Sequence, residues 1–274
     1  MDKRIESKFL KLKDILARMG KVLIAFSGGS DSTFLLKVAS LGLAGDVLAV
    51  TADSETYPAE ELKQAKELAK EMRVKLIVIR TRELRNRKFK SNPENRCYYC
   101  KKELFETLRR IARKYNIKYI LDGSNVDDRY DFRPGRIART KFKVRSPLLE
   151  AGLGKKEIRK LSRRLGLKTW DKPALACLAS RIPYGVKINS RDLLRVDRAE
   201  QFLRSLGFRQ VRLRHYGKLA RIEIERFKIA HLIKPQVRDK IIDRLKKLGY
   251  NYVTVDLAGY RTGSLNPVRN SKAA

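Results

Sequence analysis

The sequence predicts an α/β domain built on a parallel sheet, followed by a smaller α+β domain. Three observations carry this expectation. Strand-like and helix-like runs alternate through the first half of the chain, the pattern of a parallel sheet covered on both faces. The segment Ser27-Gly28-Gly29-Ser30-Asp31-Ser32 stands between an apolar run and a helix-compatible one. Past Tyr184 the order changes to helix, hairpin, helix and strand.

Residues 1–20 carry Ile5, Phe9, Leu12, Ile15, Leu16 and Met19 near helical spacing, with charges between them. Strands are expected over residues 21–26, 46–51, 75–79 and 119–121, where β-branched and other apolar residues run together. Helices are expected over 34–39, 58–72 and 101–115. Leu62, Ala65, Leu68, Ala69 and Met72 form a stripe in the second, and Leu104, Phe105, Leu108 and Ile111 in the third. Residues 82–95 and 127–146 are basic and read as irregular, and a further helix is expected over 155–165. Beyond Tyr184, residues 193–206 read as a helix. Residues 211–215 and 220–224 alternate as half-buried strands joined by a turn at Gly217-Lys218. A helix over 235–248 and a strand over 252–257 complete the second domain. The expected boundaries are 1–185 for the first domain, 186–265 for the second, and 266–274 as a disordered tail.

Composition limits the function classes. The 274 residues include 64 Lys+Arg against 30 Asp+Glu, a formal charge of +34. Such a field attracts polyanions: RNA, nucleotides or acidic small molecules. No stretch of eighteen apolar residues is present, so no membrane span is expected. The charged N-terminus lacks the features of a secretory signal, and a soluble cytoplasmic protein is expected. Three cysteines are too few for a disulfide framework, and cysteines in a cytosolic chain more often serve metals or catalysis.

The segment 27–32 carries specific chemistry. A strand feeding a glycine-rich turn that opens a helix points several backbone N–H groups at one spot, where the helix adds partial positive charge. Gly28 and Gly29 let the backbone approach a phosphate. Ser27, Ser30 and Ser32 add hydroxyls, and Asp31 is suited to a Mg2+ ion bridging phosphate oxygens. The segment resembles the SGGxDS signature of the PP-loop ATP pyrophosphatases, whose fold is adenine nucleotide alpha-hydrolase-like. No G-x-x-x-x-G-K-[ST] is present. The resemblance implies ATP as co-substrate, cut to AMP and pyrophosphate, with Gly123 beside the 27–32 segment in the ATP site.

Cys97-Tyr98-Tyr99-Cys100 stands just before the expected helix 101–115, and Cys177 lies far downstream. The C-x-x-C pair alone is a weak signal, open to zinc, redox chemistry or chance spacing. Tetrahedral zinc would need His215 or His231 as fourth ligand, whereas three thiolates fit an iron–sulfur cluster with one open iron.

Taken together, the motifs resemble the LarE family of ATP-dependent sulfur transferases over nearly the whole chain. The matching blocks are Asp53-Ser54-Glu55-Thr56-Tyr57-Pro58, Gly123-Ser124-Asn125-x-Asp127-Asp128, Arg133-Pro134-Gly135 and Arg145-Ser146-Pro147-Leu148. Lys172-Pro173-Ala174 with Cys177-Leu178-Ala179-Ser180-Arg181-x-Pro183-Tyr184-Gly185 is the most specific, and Gly259-Tyr260-Arg261-Thr262-Gly263-Ser264 is the last. The resemblance implies adenylation of a carboxylate of pyridinium-3,5-biscarboxylic acid mononucleotide and its conversion to a thiocarboxylate, in making the nickel-pincer nucleotide. Members with two further cysteines bind a 4Fe-4S cluster that takes sulfide, and Cys97, Cys100 and Cys177 place this chain with them. Cys177 and Asp31 are then the catalytic candidates. Ser180, Arg181, Arg212 and Arg214 are the substrate-binding candidates, with Glu200 and Glu223 orienting the arginines. Guanidinium forks suit both phosphate and carboxylate. The partners expected are the pyridinium mononucleotide, a sulfide donor and further copies of the chain. The charge of +34 exceeds what a small anion requires, and keeps a PP-loop tRNA thiolase, with a nucleic-acid partner, as the alternative. An amidotransferase-fed ligase would not need the three cysteines.

Overall fold

The computed structural model describes residues 2–130, 134–173 and 176–265. Arg133, Ala174 and the expected tail 266–274 lie outside the described residues. The chain divides into two compact units: Met1–Phe89 with Asn95–Leu175, and Lys90–Glu94 with Ala176–Ala274.

In the first unit, α1 (Lys3–Met19) precedes β1 (Val22–Ala25), α2 (Ser30–Gly42), β2 (Val47–Asp53), α3 (Ala59–Glu71) and β3 (Lys75–Arg80). There follow α4 (Arg87–Lys90), α5 (Arg96–Lys114), β4 (Tyr119–Leu121), α6 (Gly135–Lys141), α7 (Pro147–Glu150) and α8 (Lys155–Arg164). The four strands form one parallel sheet in the order β3-β2-β1-β4, with Val22 opposite both Val47 and Tyr119. Successive strand residues point to opposite faces. Val22 and Ile24 therefore join the core formed with Leu12, Leu16, Phe34 and Leu161, while Leu23 joins that formed with Phe105, Leu108 and Ala138. Burial on both faces explains why these strands read as unbroken apolar runs.

Three local expectations are corrected. The helix expected from residue 101 begins at Arg96, so the C-x-x-C pair forms its first turn. The added turn is held by tertiary packing, because Tyr98 reaches the same core as Phe105 and Leu108. The basic stretches 82–95 and 127–146 are not wholly irregular: they hold α4 and α6, with Phe89 and Ala138 buried. The last helix of this unit, α8, ends at Arg164.

The second unit comprises α9 (Ser190–Ser205), β5 (Val211–Tyr216), β6 (Leu219–Ile224), α10 (Ile229–Leu232), α11 (Pro235–Lys247) and β7 (Tyr252–Val255). The sheet order is β5-β6-β7. The hairpin is antiparallel, with Arg212 opposite Glu223, and β7 joins β6 in parallel. β5 is not half-buried as expected: residues 211–215 are all buried. Its basic residues are accommodated inside because carboxylates are buried beside them, as described below.

Candidate active site

The phosphate-loop candidate lies where β1 ends and α2 begins, beyond the carboxyl end of a sheet strand, the usual ligand edge of such folds. Gly28 has φ +69°, and a Cβ there would stand 3.2 Å from the Cβ of Ala65 on α3, so the turn needs glycine both for conformation and for space. Ser32 Oγ accepts from Ser27 N (3.3 Å), pairs with Ser27 Oγ (3.0 Å) and donates to the Gly29 carbonyl (3.2 Å). These bonds close the loop on itself. No side chain caps α2, so its leading N–H groups remain available to a ligand. Ser30 Oγ is buried and lacks a hydrogen-bond partner among the described residues. A buried hydroxyl at an uncapped helix N-terminus suits the oxygen of a phosphate. Gly123, at the end of β4, packs against the start of α2. A Cβ at this position would come within 2.9 Å of Ser32 N.

Two further residues shape this loop, and neither was assigned a role from sequence. Asn125 is fully buried and its Nδ2 donates to Asp31 Oδ2 (2.8 Å), while its Oδ1 accepts from Asp127 N (2.9 Å). Asn125 thereby fixes which way the Asp31 carboxylate faces. Lys172 Nζ donates to the Gly28 carbonyl (3.1 Å), Glu61 Oε2 (2.7 Å) and Gln64 Oε1 (2.7 Å). It clamps the loop to α3. Both residues fall in motif blocks recognised by resemblance, but their partners are 94 and 144 residues away. A cleft beside the loop is lined by Phe26, Ser27, Thr51, Tyr57, Lys101 and Leu104, among others. Of these the sequence reading assigned a role only to Ser27.

Cys97 and Cys100 lie three apart in the first turn of α5, a spacing that puts both on one helix face. Cys97 is exposed and Cys100 half-buried. Cys100 Sγ donates to Glu83 Oε1 at 3.6 Å. Glu83, itself buried, also accepts from Ser54 Oγ (2.9 Å) and Thr81 Oγ1 (3.1 Å). Glu83 thus ties the turn after β2 and the end of β3 to the cysteine-bearing helix.

The remaining candidates belong to the second unit. Cys177 immediately precedes a single 3-10 turn, Leu178–Arg181. Arg181 is 1% exposed and forks onto Glu200, with Nε to Oε1 at 2.8 Å and Nη2 to Oε2 at 3.0 Å. Its Nη1 donates to the carbonyls of Ala176 (2.7 Å) and Cys177 (3.0 Å) and to Ser180 Oγ (2.9 Å). Arg181 therefore holds the backbone on which Cys177 sits. Arg214 forks onto Glu223 (2.9 and 2.7 Å) and also donates to the Ser180 carbonyl (2.8 Å) and to Ser264 Oγ (2.7 Å). The expected orienting carboxylates are thus in contact with two of the arginines. Ser264, in the last of the family blocks, completes the second pair by donating to Glu223 (3.0 Å).

Arg212 is buried and stacks over the Tyr260 ring, its guanidinium 5.2 Å from the ring centroid. Burial, with the like charge of Arg181 beside it, lowers Arg212 to about 10. Burial by itself would raise Glu200, but Arg181, Arg212 and the Leu213 N–H together hold it down at about 2. The unit therefore gathers three buried guanidinium groups, Arg181, Arg212 and Arg214, with three buried carboxylates, Asp197, Glu200 and Glu223. Held in forks by Glu200 and Glu223, the Arg181 and Arg214 guanidinium groups keep fixed orientations.

Among the described residues, no group of three or more His, Cys, Asp and Glu is gathered to hold a metal ion, and no helix is long and apolar enough to cross a membrane. No protein-family model matches the chain. An uncharacterized protein of Synechocystis sp. is 42% identical over 264 residues, 96% of this chain and 98% of that one. The pyridinium-3,5-bisthiocarboxylic acid mononucleotide synthase of Lactiplantibacillus plantarum is 37% identical over 263 residues, 96% of this chain and 95% of that one. The glutamine-hydrolyzing GMP synthase of Campylobacter hominis is 29% identical over 178 residues, 58% of this chain and 34% of that one. The GMP synthase likeness accords with a PP-loop domain around the all-parallel sheet. With the likeness to the mononucleotide synthase running across both units, the chain belongs to the LarE family of PP-loop proteins.

Proposed function

We propose that this protein is an ATP-dependent sulfur transferase that converts a carboxylate of pyridinium-3,5-biscarboxylic acid mononucleotide to a thiocarboxylate. The observation that carries the reading is the 37% identity to the L. plantarum synthase over 96% of the chain, covering the phosphate-loop and arginine regions alike. The local geometry supports it. A carboxylate is a poor electrophile, because its leaving group would be oxide. In the proposed first step a substrate carboxylate oxygen attacks the α-phosphorus of ATP, and pyrophosphate leaves. The uncapped α2 N-terminus and the hydroxyls of Ser27, Ser30 and Ser32 spread the pyrophosphate charge. Asp31, oriented by Asn125, would hold a Mg2+ ion, which supplies charge neutralisation on the phosphate oxygens. Gly28, Gly29 and Gly123 keep the loop close enough to the phosphates.

In the second step a sulfur nucleophile attacks the acyl carbon and AMP leaves, which gives the thiocarboxylate. The nucleophile must be deprotonated. Cys97, Cys100 and Cys177 would hold a 4Fe-4S cluster, whose donor set of three thiolates matches the three cysteines of the chain. When bound, such a cluster supplies an open iron that carries sulfide. Arg212 and Arg214, with Ser180, would receive the phosphate and carboxylate groups of the substrate, Arg181 would act from behind them by holding the Cys177 backbone, and Glu200 and Glu223 hold the guanidinium forks in place.

The test is anaerobic turnover of the purified chain with ATP, Mg2+, sulfide and the pyridinium dicarboxylate mononucleotide. Substrate-dependent pyrophosphate release and a product carrying sulfur in place of one oxygen are expected, read by mass spectrometry. ATP consumption that ignores the pyridinium compound refutes the reading.

A further inference from the structure

We propose that the outer face of α8, together with Trp170, is a contact surface for single-stranded nucleic acid. Lys156, Arg159, Lys160 and Arg163 occupy positions i, i+3, i+4 and i+7 of α8, which places them in one stripe along the helix. All four are exposed, while Ile158, Leu161 and Ser162 on the other side are buried. The stripe contains no acid. Glu157, the one acidic residue of α8, is turned instead to Lys8 Nζ (2.7 Å) and to the Gly154 N–H (2.9 Å). Among the described residues none of the four cations takes part in an ion pair. Lys156 with Lys160, and Arg159 with Arg163, are like-charge pairs at i, i+4, which destabilise a helix. The helix thus carries a run of like charges for which no ion-pair partner stands among the described residues.

The stripe ends at an aromatic platform. Trp170 is 38% exposed, and the Arg163 guanidinium stacks on its ring 5.1 Å from the centroid. An exposed indole beside a row of cations is the pairing that single strands use: bases stack on the ring and phosphates track the charges. A membrane surface fits less well, because the apolar face of α8 is already spent in the protein core and cannot enter lipid. Arg159 Nη2 also donates to the Lys172 carbonyl (3.1 Å), whereas neither Lys156 nor Lys160 belongs to the candidate active site.

Trp170 is the single tryptophan of the chain, so its fluorescence reports on this face alone. The test titrates the full chain with a short oligouridylate, following both tryptophan quenching and the anisotropy of a label on the RNA. Saturable quenching is expected, with log K falling against log salt at a slope of roughly −3 for four neutralised phosphates. The Lys156→Gln/Lys160→Gln variant, checked for native far-UV circular dichroism, should reduce that slope to roughly −1.4. Inorganic polyphosphate should compete for the site without reproducing the quench. Absence of binding, binding without quenching, an unchanged slope in the double variant, or preference for phosphatidylserine vesicles over the RNA would each overturn the proposal.

Discussion

Replacing Glu200 by glutamine keeps the shape of the side chain and removes its charge. The consequence follows from the Arg181–Glu200 fork, both of whose members are buried beyond reach of water. Folding takes the Glu200 carboxyl from the ordinary 4.5 to about 2. The gap of about 2.5, at about 1.36 kcal/mol for each, amounts to about 3 kcal/mol. Removing one member of a buried ion pair typically costs about 3–5 kcal/mol, because the other charge is left unmatched. The two routes agree, and Glu200→Gln should destabilise the second unit by about 3 kcal/mol at pH 7. The sign with pH is determined by the depressed folded value. The stabilisation is fully present above pH 4.5 and is lost as pH falls toward 2, where Glu200 takes up a proton in the folded state. The gap between parent and variant should therefore narrow to less than half its pH 7 size by pH 3. Urea titrations followed by hydrogen exchange of the strand amides at 211–216 read this unit directly. Equal stabilities at pH 7, or a gap indifferent to pH, would show that the Glu200 charge does not stabilise this unit.

Three further outcomes are expected around the phosphate loop. Gly123→Ala places a Cβ 2.9 Å from Ser32 N, so the start of α2 must shift. ATP affinity measured by calorimetry should fall at least tenfold, about 1.4 kcal/mol. Asn125→Ala leaves Asp31 without the 2.8 Å bond that aims it. The half-saturating Mg2+ or Mn2+ concentration should rise several-fold, while metal-free nucleotide binding stays near the parent value. Lys172→Met removes the clamp on the Gly28 carbonyl and leaves Glu61 without its ammonium. A higher KM for ATP and a stability loss of about 2–4 kcal/mol are expected from steady-state kinetics and thermal unfolding. Unchanged kinetics in Lys172→Met would show that the loop holds its shape without it.

The legible parts of this protein are those written in short-range pattern. Runs such as Val22-Leu23-Ile24 announce strands buried on both faces, and the stripe through Leu104, Phe105 and Leu108 announces a helix. What escaped was decided by burial. The helix bearing Cys97 and Cys100 starts one turn early because Tyr98 finds a core to enter, which its neighbours in sequence do not disclose. Arg212 and Arg214 look like the polar side of a half-exposed strand, yet both are inside, since carboxylates from elsewhere meet the charge.

By itself, the order of residues determined the alternation of elements, the glycine-bearing turn that opens α2 and the family blocks, because periodicity and turn chemistry act within a few residues. Only the folded structure decided that Asn125 meets Asp31, that Lys172 meets Gly28, that Glu83 meets Cys100 and that Arg181 meets Glu200. Each of those meetings joins residues from 17 to 144 positions apart. They form because a buried polar group must find a partner wherever the packed chain presents one.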